Sequence, residues 1–245
     1  MEMNRETIEK IEEMSKLENK TIEVDGKVYS LKELHEVKPK RPTLQSLESK
    51  SLNGFIEYVK HMIANHNDTE RPLPVIILIT ENGVRAKTGL INGLERDTIA
   101  EAMPSSIYVN YGRYNSLEET IIALQTKFIK TEVVDKLLET LKCMVIDNTV
   151  SVEDDGVSQR VTVANGAGIR SEIKLSPIVR LKPYTTFREL DQPDRLFLLR
   201  VNKSGDIALF EADGDCYKQT IIDITRNYLI SAFEEEISEG NVILA

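Results

Sequence analysis

Apolar positions recur with two different periods along this chain of 245 residues. Between residues 51 and 66, Leu52, Phe55, Ile56, Val59, Met62 and Ile63 follow an i, i+3, i+4, i+7 pattern. That spacing predicts an amphipathic helix, with Ser51 placed to cap it. Ser116-Leu-Glu-Glu119 is a capping box, in which the serine and the glutamate three residues later satisfy each other's backbone amides. The helix after it is expected to run to about Lys130, with Leu117, Ile121, Leu124 and Phe128 inward. Thr131 can cap a second helix, whose stripe is Val134, Leu137, Leu138, Leu141 and Val145. Such closely joined helices form a helical corner or hairpin. A long C-terminal helix is expected from about Cys216 to Ile237, lined by Tyr217, Ile221, Ile224, Tyr228 and Leu229. A shorter charged helix over residues 4–17 carries Ile8, Ile11 and Met14 on one stripe.

The second period is two. In Thr149–Val163, Val157, Val161 and Val163 share one parity and Ser158, Arg160 and Thr162 the other. With Asp155-Gly156 as the turn, this segment predicts an antiparallel hairpin. Asp25-Gly26 within Thr21–Ser30 and Glu81-Asn82-Gly83 after Val75–Thr80 give the same signal. One or two strands are expected in residues 95–111, with Pro104 at an end or an edge. From Ile146 to Phe210 strand patterns dominate, and Leu196–Val201 should pair with Ile207–Phe210 across residues 202–206. Helices grouped between hairpins predict an α+β fold: antiparallel sheets with hairpins, a central helix pair and the long C-terminal helix. Residues 38–50, with Pro39 and Pro42, look like a connector. The expected organisation is therefore an N-terminal part over residues 1–50 and a main domain over 51–245. The change to strands near residue 146 is a further candidate boundary.

Composition narrows the setting. The apolar fraction of 41% supports a sizeable core. The formal charge is −9, which argues against duplex DNA as a partner, because phosphate binding relies on clustered Lys and Arg. Lys38-Pro-Lys-Arg41 is the densest basic run and reads as a solvated linker. Cys143 and Cys216 lie far apart, neither in a Cys-x-x-Cys unit, and are expected to be buried or half-buried free thiols in a reducing cytoplasm. The charged N-terminus carries no apolar leader segment, and no apolar run approaches the roughly 20 residues that span a bilayer, so no membrane is implied.

Candidate chemistry is sparse. His61 and His66 are five apart and miss the i, i+4 face of helical metal ligands, and His35 is the only other histidine. Glu153-Asp-Asp155 and Glu211-Ala-Asp-Gly-Asp215 could bind Mg²⁺ or Ca²⁺, yet both also read as turns. Joined to Lys174 or Arg180 they would make a nuclease-like site. Tyr108-Val-Asn-Tyr-Gly-Arg-Tyr114 interleaves aromatic and basic residues, which suits base stacking or a strand of partly buried tyrosines. No catalytic, metal-ligating or cofactor-binding residue is assigned, and no cofactor is implied.

Four motifs, in order, carry a resemblance: Leu52-Asn-Gly-Phe-Ile-Glu-Tyr-Val59, Tyr111-Gly-Arg-Tyr114, Ile122-Ala-Leu-Gln-Thr-Lys-Phe128 and Asp154-Asp-Gly-Val-Ser-Gln-Arg-Val161. Phe187-Arg-Glu-Leu-Asp-Gln-Pro193 and Leu209-Phe-Glu-Ala-Asp-Gly214 fit with them. In these the chain resembles a family of phage and prophage proteins that includes the YfdQ-like proteins. The resemblance implies an early or accessory protein in the bacterial host cytoplasm, with no activity to carry over. Tyr111, Arg113, Tyr114, Asp154, Asp155, Gln159 and Arg160 stand as candidate binding residues. The first function expected is a non-catalytic protein that binds or inhibits a host component, such as a defence protein or its signal molecule. The second is a single-stranded-DNA-handling accessory in replication or recombination, and the third a metal-dependent hydrolase. Ile222, Ile230 and Phe233 widen the apolar surface of the last helix, which predicts a homo-oligomer with its contact there.

Overall fold

A computed structural model of the chain describes residues 8–10, 13, 21–30, 45–66, 71–105, 107–145, 150–154, 159–164 and 170–245. The chain divides into two units, Met1–Thr43 and Leu44–Ala245. In the first, β1 (Thr21–Val24) and β2 (Lys27–Ser30) pair as an antiparallel hairpin. Asp25 and Gly26 both take positive φ, 51° and 74°, in the expected turn. Two positive φ values match the twist of the flanking strands, and Asp and Gly tolerate them best.

The second unit holds a sheet of five strands in the order β13-β4-β5-β6-β3. These are β3 (Leu47–Ser49), β4 (Val75–Thr80), β5 (Gly83–Lys87), β6 (Thr98–Ala102) and β13 (Val242–Leu244). The β4–β5 turn needs glycine at position 83. Its φ is 148°, and an added Cβ would lie 2.2 Å from the carbonyl oxygen of Ala102. Helix α1 (Leu52–Ala64) buries Leu52, Phe55, Ile56, Val59, Met62 and Ile63, the stripe read from the sequence. They pack with Ile77, Ile79, Val84, Ala86, Ala100 and Ala102 of the sheet. Leu229 of α4 (Cys216–Ala232) and Phe233 join the same core. The other face of the sheet carries the cross-strand ion pair Arg85–Glu101, 2.8 Å apart.

A second core lies under β10 (Ile178–Leu181), β11 (Arg195–Val201) and β12 (Ile207–Glu211), which pair antiparallel. Helices α2 (Leu117–Thr126) and α3 (Glu132–Val145) cover it. Leu124, Phe128, Leu138 and Leu141 are all buried there, as the periodicity predicts. Burying each such side chain stabilises by about 1.5–3 kcal/mol. A third sheet, β7 (Val150–Asp154), β8 (Gln159–Ala164) and β9 (Arg170–Leu175), is antiparallel and contains the expected hairpin; its turn at 155–158 lies outside the described residues.

The α+β class holds, with corrections inside it. The five-stranded sheet is mixed, because β13 runs parallel to β4 and β3 parallel to β6. Both are three-residue edge strands, too short for period-two patterning to register. β3 falls in the span read as connector, yet its pairing places it in the main sheet. Helix α2 stops at Thr126, and Phe128 reaches the core from an isolated bridge to Pro183. The C-terminal helix breaks at Phe233, whose φ of −110° leaves the helical region, and restarts as α5 (Glu234–Ser238). Cys216 is exposed, since it opens α4 on the solvent side. The N-terminal helix is described only at residues 8–10 and 13, and the Lys38–Arg41 run, His35 and the side chain of Cys143 lie outside the described residues. Among the described residues, no helix is long and apolar enough to cross a membrane.

A candidate binding cleft around Arg195

Strand β11 alternates along its length. Arg195, Phe197, Leu199 and Val201 are buried and share one face. Three of these are apolar, so the arginine occupies a core position. The register explains how it is tolerated. Phe197 lies opposite Glu211 and Leu199 opposite Leu209. Two residues further in each chain, the same face brings Arg195 beside Asp213. Nε of Arg195 donates to Oδ2 of Asp213 at 2.7 Å, and Nη2 donates to Oε1 of Glu211 at 2.7 Å and Oδ1 of Asp213 at 3.2 Å. The arginine side chain is only 2% exposed and that of Asp213 8%, while that of Glu211 is 46% exposed.

Aromatic rings close over this fork. The guanidinium carbon stands 3.5 Å from the centroid of the Tyr217 ring, in the first turn of α4. On the core side, Tyr111 stacks on Phe197 with centroids 5.0 Å apart, and Phe128 meets Phe197 edge-on. Tyr111 is brought there by an edge segment along β12. Gly112 N–H donates to Leu209 O at 2.8 Å, and Asn115 and Ile207 exchange backbone hydrogen bonds of 2.9 Å. Opposite, a loop carries Tyr184 and Thr185. The buried side chain of Gln192 holds it, accepting from Thr185 and Thr186 N–H and donating to Phe187 O and Leu190 O. Phe187 and Leu190 of that loop enter the first core, so the loop ties the two cores together.

The electrostatics follow the geometry. Hydrogen bonding to Arg195 holds the Asp213 carboxyl below its ordinary range, against the effect of burial. Burial works against the charged guanidinium, but its bonds to Asp213 and Glu211 outweigh that and raise its proton affinity further. Burial also raises the Tyr111 phenol well above its ordinary value, with Arg195 opposing, so the phenol stays protonated.

These groups border a cleft of about 570 Å³. Its walls include Glu81, Tyr108, Tyr111, Thr185, Glu211 and Tyr217. Tyr108 is 76% exposed and also borders a smaller groove of about 340 Å³ along α2.

Of the binding residues named from the sequence, Tyr111 alone lines the cleft among the described residues. Arg113 is exposed, and Tyr114 packs edge-on against Phe210 instead. Asp154 pairs with Gln159 across the β7–β8 hairpin and Arg160 with Glu153, while Asp155 lies outside the described residues. The oligomer surface is corrected: Phe233 is fully buried and Ile222 packs on the first core, leaving Ile230 exposed at 46%. The break after Ala232 turns Phe233 inward. The acids 211–215 are spent within the chain, two on Arg195 and Asp215 on Lys218 at 2.8 Å. Asp215 makes no capping bond to α4. Arg180 pairs with Leu196, on the face away from Arg195. Among the described residues, no three His, Cys, Asp or Glu side chains gather where they could hold a metal ion.

In the sequence, Glu211 and Asp213 stand only as possible cation ligands, unjoined to Arg195 and Tyr217. The available signal was an arginine in phase with Phe197, Leu199 and Val201, with acids in phase on the paired strand. Comparison of the chain with protein-family models, curated proteins and solved structures gives no match.

Proposed function

We propose that this chain is a non-catalytic binding protein of phage or prophage origin, acting in the bacterial cytoplasm, whose Arg195 cleft engages a host component. The observation that carries this reading is the commitment of the reactive groups to structure. Asp213 and Glu211 are bonded to Arg195, and Tyr111 is a partly buried phenol that stays protonated. A general base needs an available lone pair near a reacting proton. Here the two carboxylates bonded to Arg195 and the Tyr111 ring stacked on Phe197 hold the walls in place, and preorganised walls favour binding. The setting rests on the resemblance of the chain's motifs to those of phage and prophage proteins. A metal-dependent hydrolase at residues 211–215 is disfavoured, because a metal would have to displace a buried guanidinium.

The test compares the immobilised protein with Tyr108→Ala in capture from host lysate and from its small-molecule extract. Tyr108 is largely exposed, so the substitution should leave the fold intact. Capture by the unaltered chain that is lost in Tyr108→Ala is the expected result. An identical captured set from both proteins would remove the cleft from the function.

A further inference from the structure

We infer that the cleft receives the base of a free purine nucleoside, stacked against its tyrosines. This rests on the reading of the cleft as a binding site and names the ligand it selects. Four of the chain's eight tyrosines, Tyr108, Tyr111, Tyr184 and Tyr217, line this one cleft. Three of them already carry a partner from the chain itself. Arg195 lies 3.5 Å from the Tyr217 ring centroid, Arg188 lies 3.6 Å from that of Tyr184, and Phe197 stacks on Tyr111 at 5.0 Å. Those contacts hold the rings, so little side-chain freedom is lost when a ligand stacks on the ring area they leave uncovered. Tyr108 is 76% exposed, and Lys127 Nζ donates to its carbonyl oxygen at 2.7 Å, which holds the backbone that carries it. Every base has a π-face that such rings accept, and the larger purine gains more from stacking.

The charges select a neutral occupant. Arg195, Lys218, Arg188 and Lys127 place four positive charges on or behind the walls, and Glu81, Glu211, Asp213 and Asp215 place four negative ones. They cancel, so neither a cation nor the phosphates of a strand gain from the local field. The polar atoms left over suit the edge of a base. The Tyr111 phenol stays protonated, and its hydroxyl is neither sealed in the interior nor bonded to another residue among the described ones, so it is a free donor. Glu211 gives Oε1 to Arg195 and is 46% exposed, so its second oxygen is a free acceptor. The exposed side-chain amide of Asn82, also unbonded among the described residues, offers both. A base carries donors and acceptors along its edge, whereas an apolar side chain from a partner would leave these atoms unpaired. A volume of about 570 Å³ lies in the range of small-ligand sites.

The test titrates the full chain with adenosine and with guanosine by calorimetry, with ribose as the control that lacks a base. Saturable binding of a purine nucleoside is expected, with upfield shifts of its base protons from the tyrosine ring currents, and no binding of ribose. Tyr108→Ala should weaken it about tenfold by removing a stacking ring, and Tyr111→Phe about threefold or more by removing the donor alone. Both variants should keep the thermal midpoint of the unaltered chain. Added salt should leave the affinity unchanged, since the occupant is neutral. Failure of both nucleosides to saturate at millimolar concentration overturns the inference, as does binding that Tyr108→Ala leaves untouched. If lysate or extract capture still depends on Tyr108 in that case, the binding function stands without the base. Loss of both dependences removes the function as well. Salt-sensitive binding of oligothymidine, tighter than that of either nucleoside, would mark a strand surface and sink the proposal.

Discussion

Oε1 of Glu189 accepts a hydrogen bond from the backbone N–H of Leu52 at 2.9 Å, across 137 positions of sequence. The same oxygen accepts from Ser51 Oγ at 2.8 Å, while Ser51 Oγ accepts from Gly54 N–H at 3.2 Å. The start of α1 is therefore capped twice, locally by a serine and remotely by a carboxylate at the positive end of the helix dipole. Glu189→Ala should cost about 1–2 kcal/mol by urea denaturation. Unchanged stability would mean that Ser51 alone satisfies the helix end.

Arg195 carries the largest electrostatic commitment. Arg195→Leu leaves Asp213 buried without its cation, which should cost about 3–5 kcal/mol. The double substitution Arg195→Leu with Asp213→Leu should recover part of that loss, because no buried charge is stranded. A double variant no more stable than Arg195→Leu alone would show that the stranded Asp213 charge is not the source of the loss.

Acid should act through the same carboxylates. Asp213 and Glu189 have folded-state pKa values below their ordinary 3.8 and 4.5. For Asp213 the chief cause is the bond to Arg195; for Glu189 burial opposes the shift, and the bonds from Ser51, Asn53 and Leu52 overcome it. Groups with depressed values contribute stability that is fully present above the unfolded pKa and is lost as pH falls through the folded one. The thermal midpoint should therefore drop as pH is taken below the ordinary range of these carboxyls. Asp213→Asn should start lower at neutral pH and fall less. A parallel acid limb for the variant would contradict the assignment.

The two cores give opposite readings of earlier expectations. Leu141 is fully buried under β10–β12, so Leu141→Ala should cost about 2–5 kcal/mol, measured by denaturant midpoint at constant slope.

Phe233→Glu should unfold the chain rather than alter its association, since the ring is fully buried beneath Lys60. Ile230→Glu, at a half-exposed position on α4, should be nearly neutral for stability. Light scattering and a melting curve on both variants separate the cases. A folded Phe233→Glu protein of changed mass would return that residue to an interface.

Local chemistry was enough to determine a good deal of this protein from its sequence. The stripe from Leu52 to Ile63, the capping box at Ser116–Glu119 and the Asp25-Gly26 turn each act within a few residues. Each is therefore visible as a pattern. The alternation of β11 was visible too, and with it the odd placement of Arg195. Tertiary structure decided what closes that pattern. The register of β11 with β12 brings Asp213 to Arg195, and α4 lays Tyr217 over it. The same holds for the parallel edge strands, for Glu189 at the head of α1 and for the burial of Phe233. Three-residue strands carry no period of their own. A buried charge is tolerated only by partners that the chain brings from elsewhere, so its meaning appears when those partners are in place.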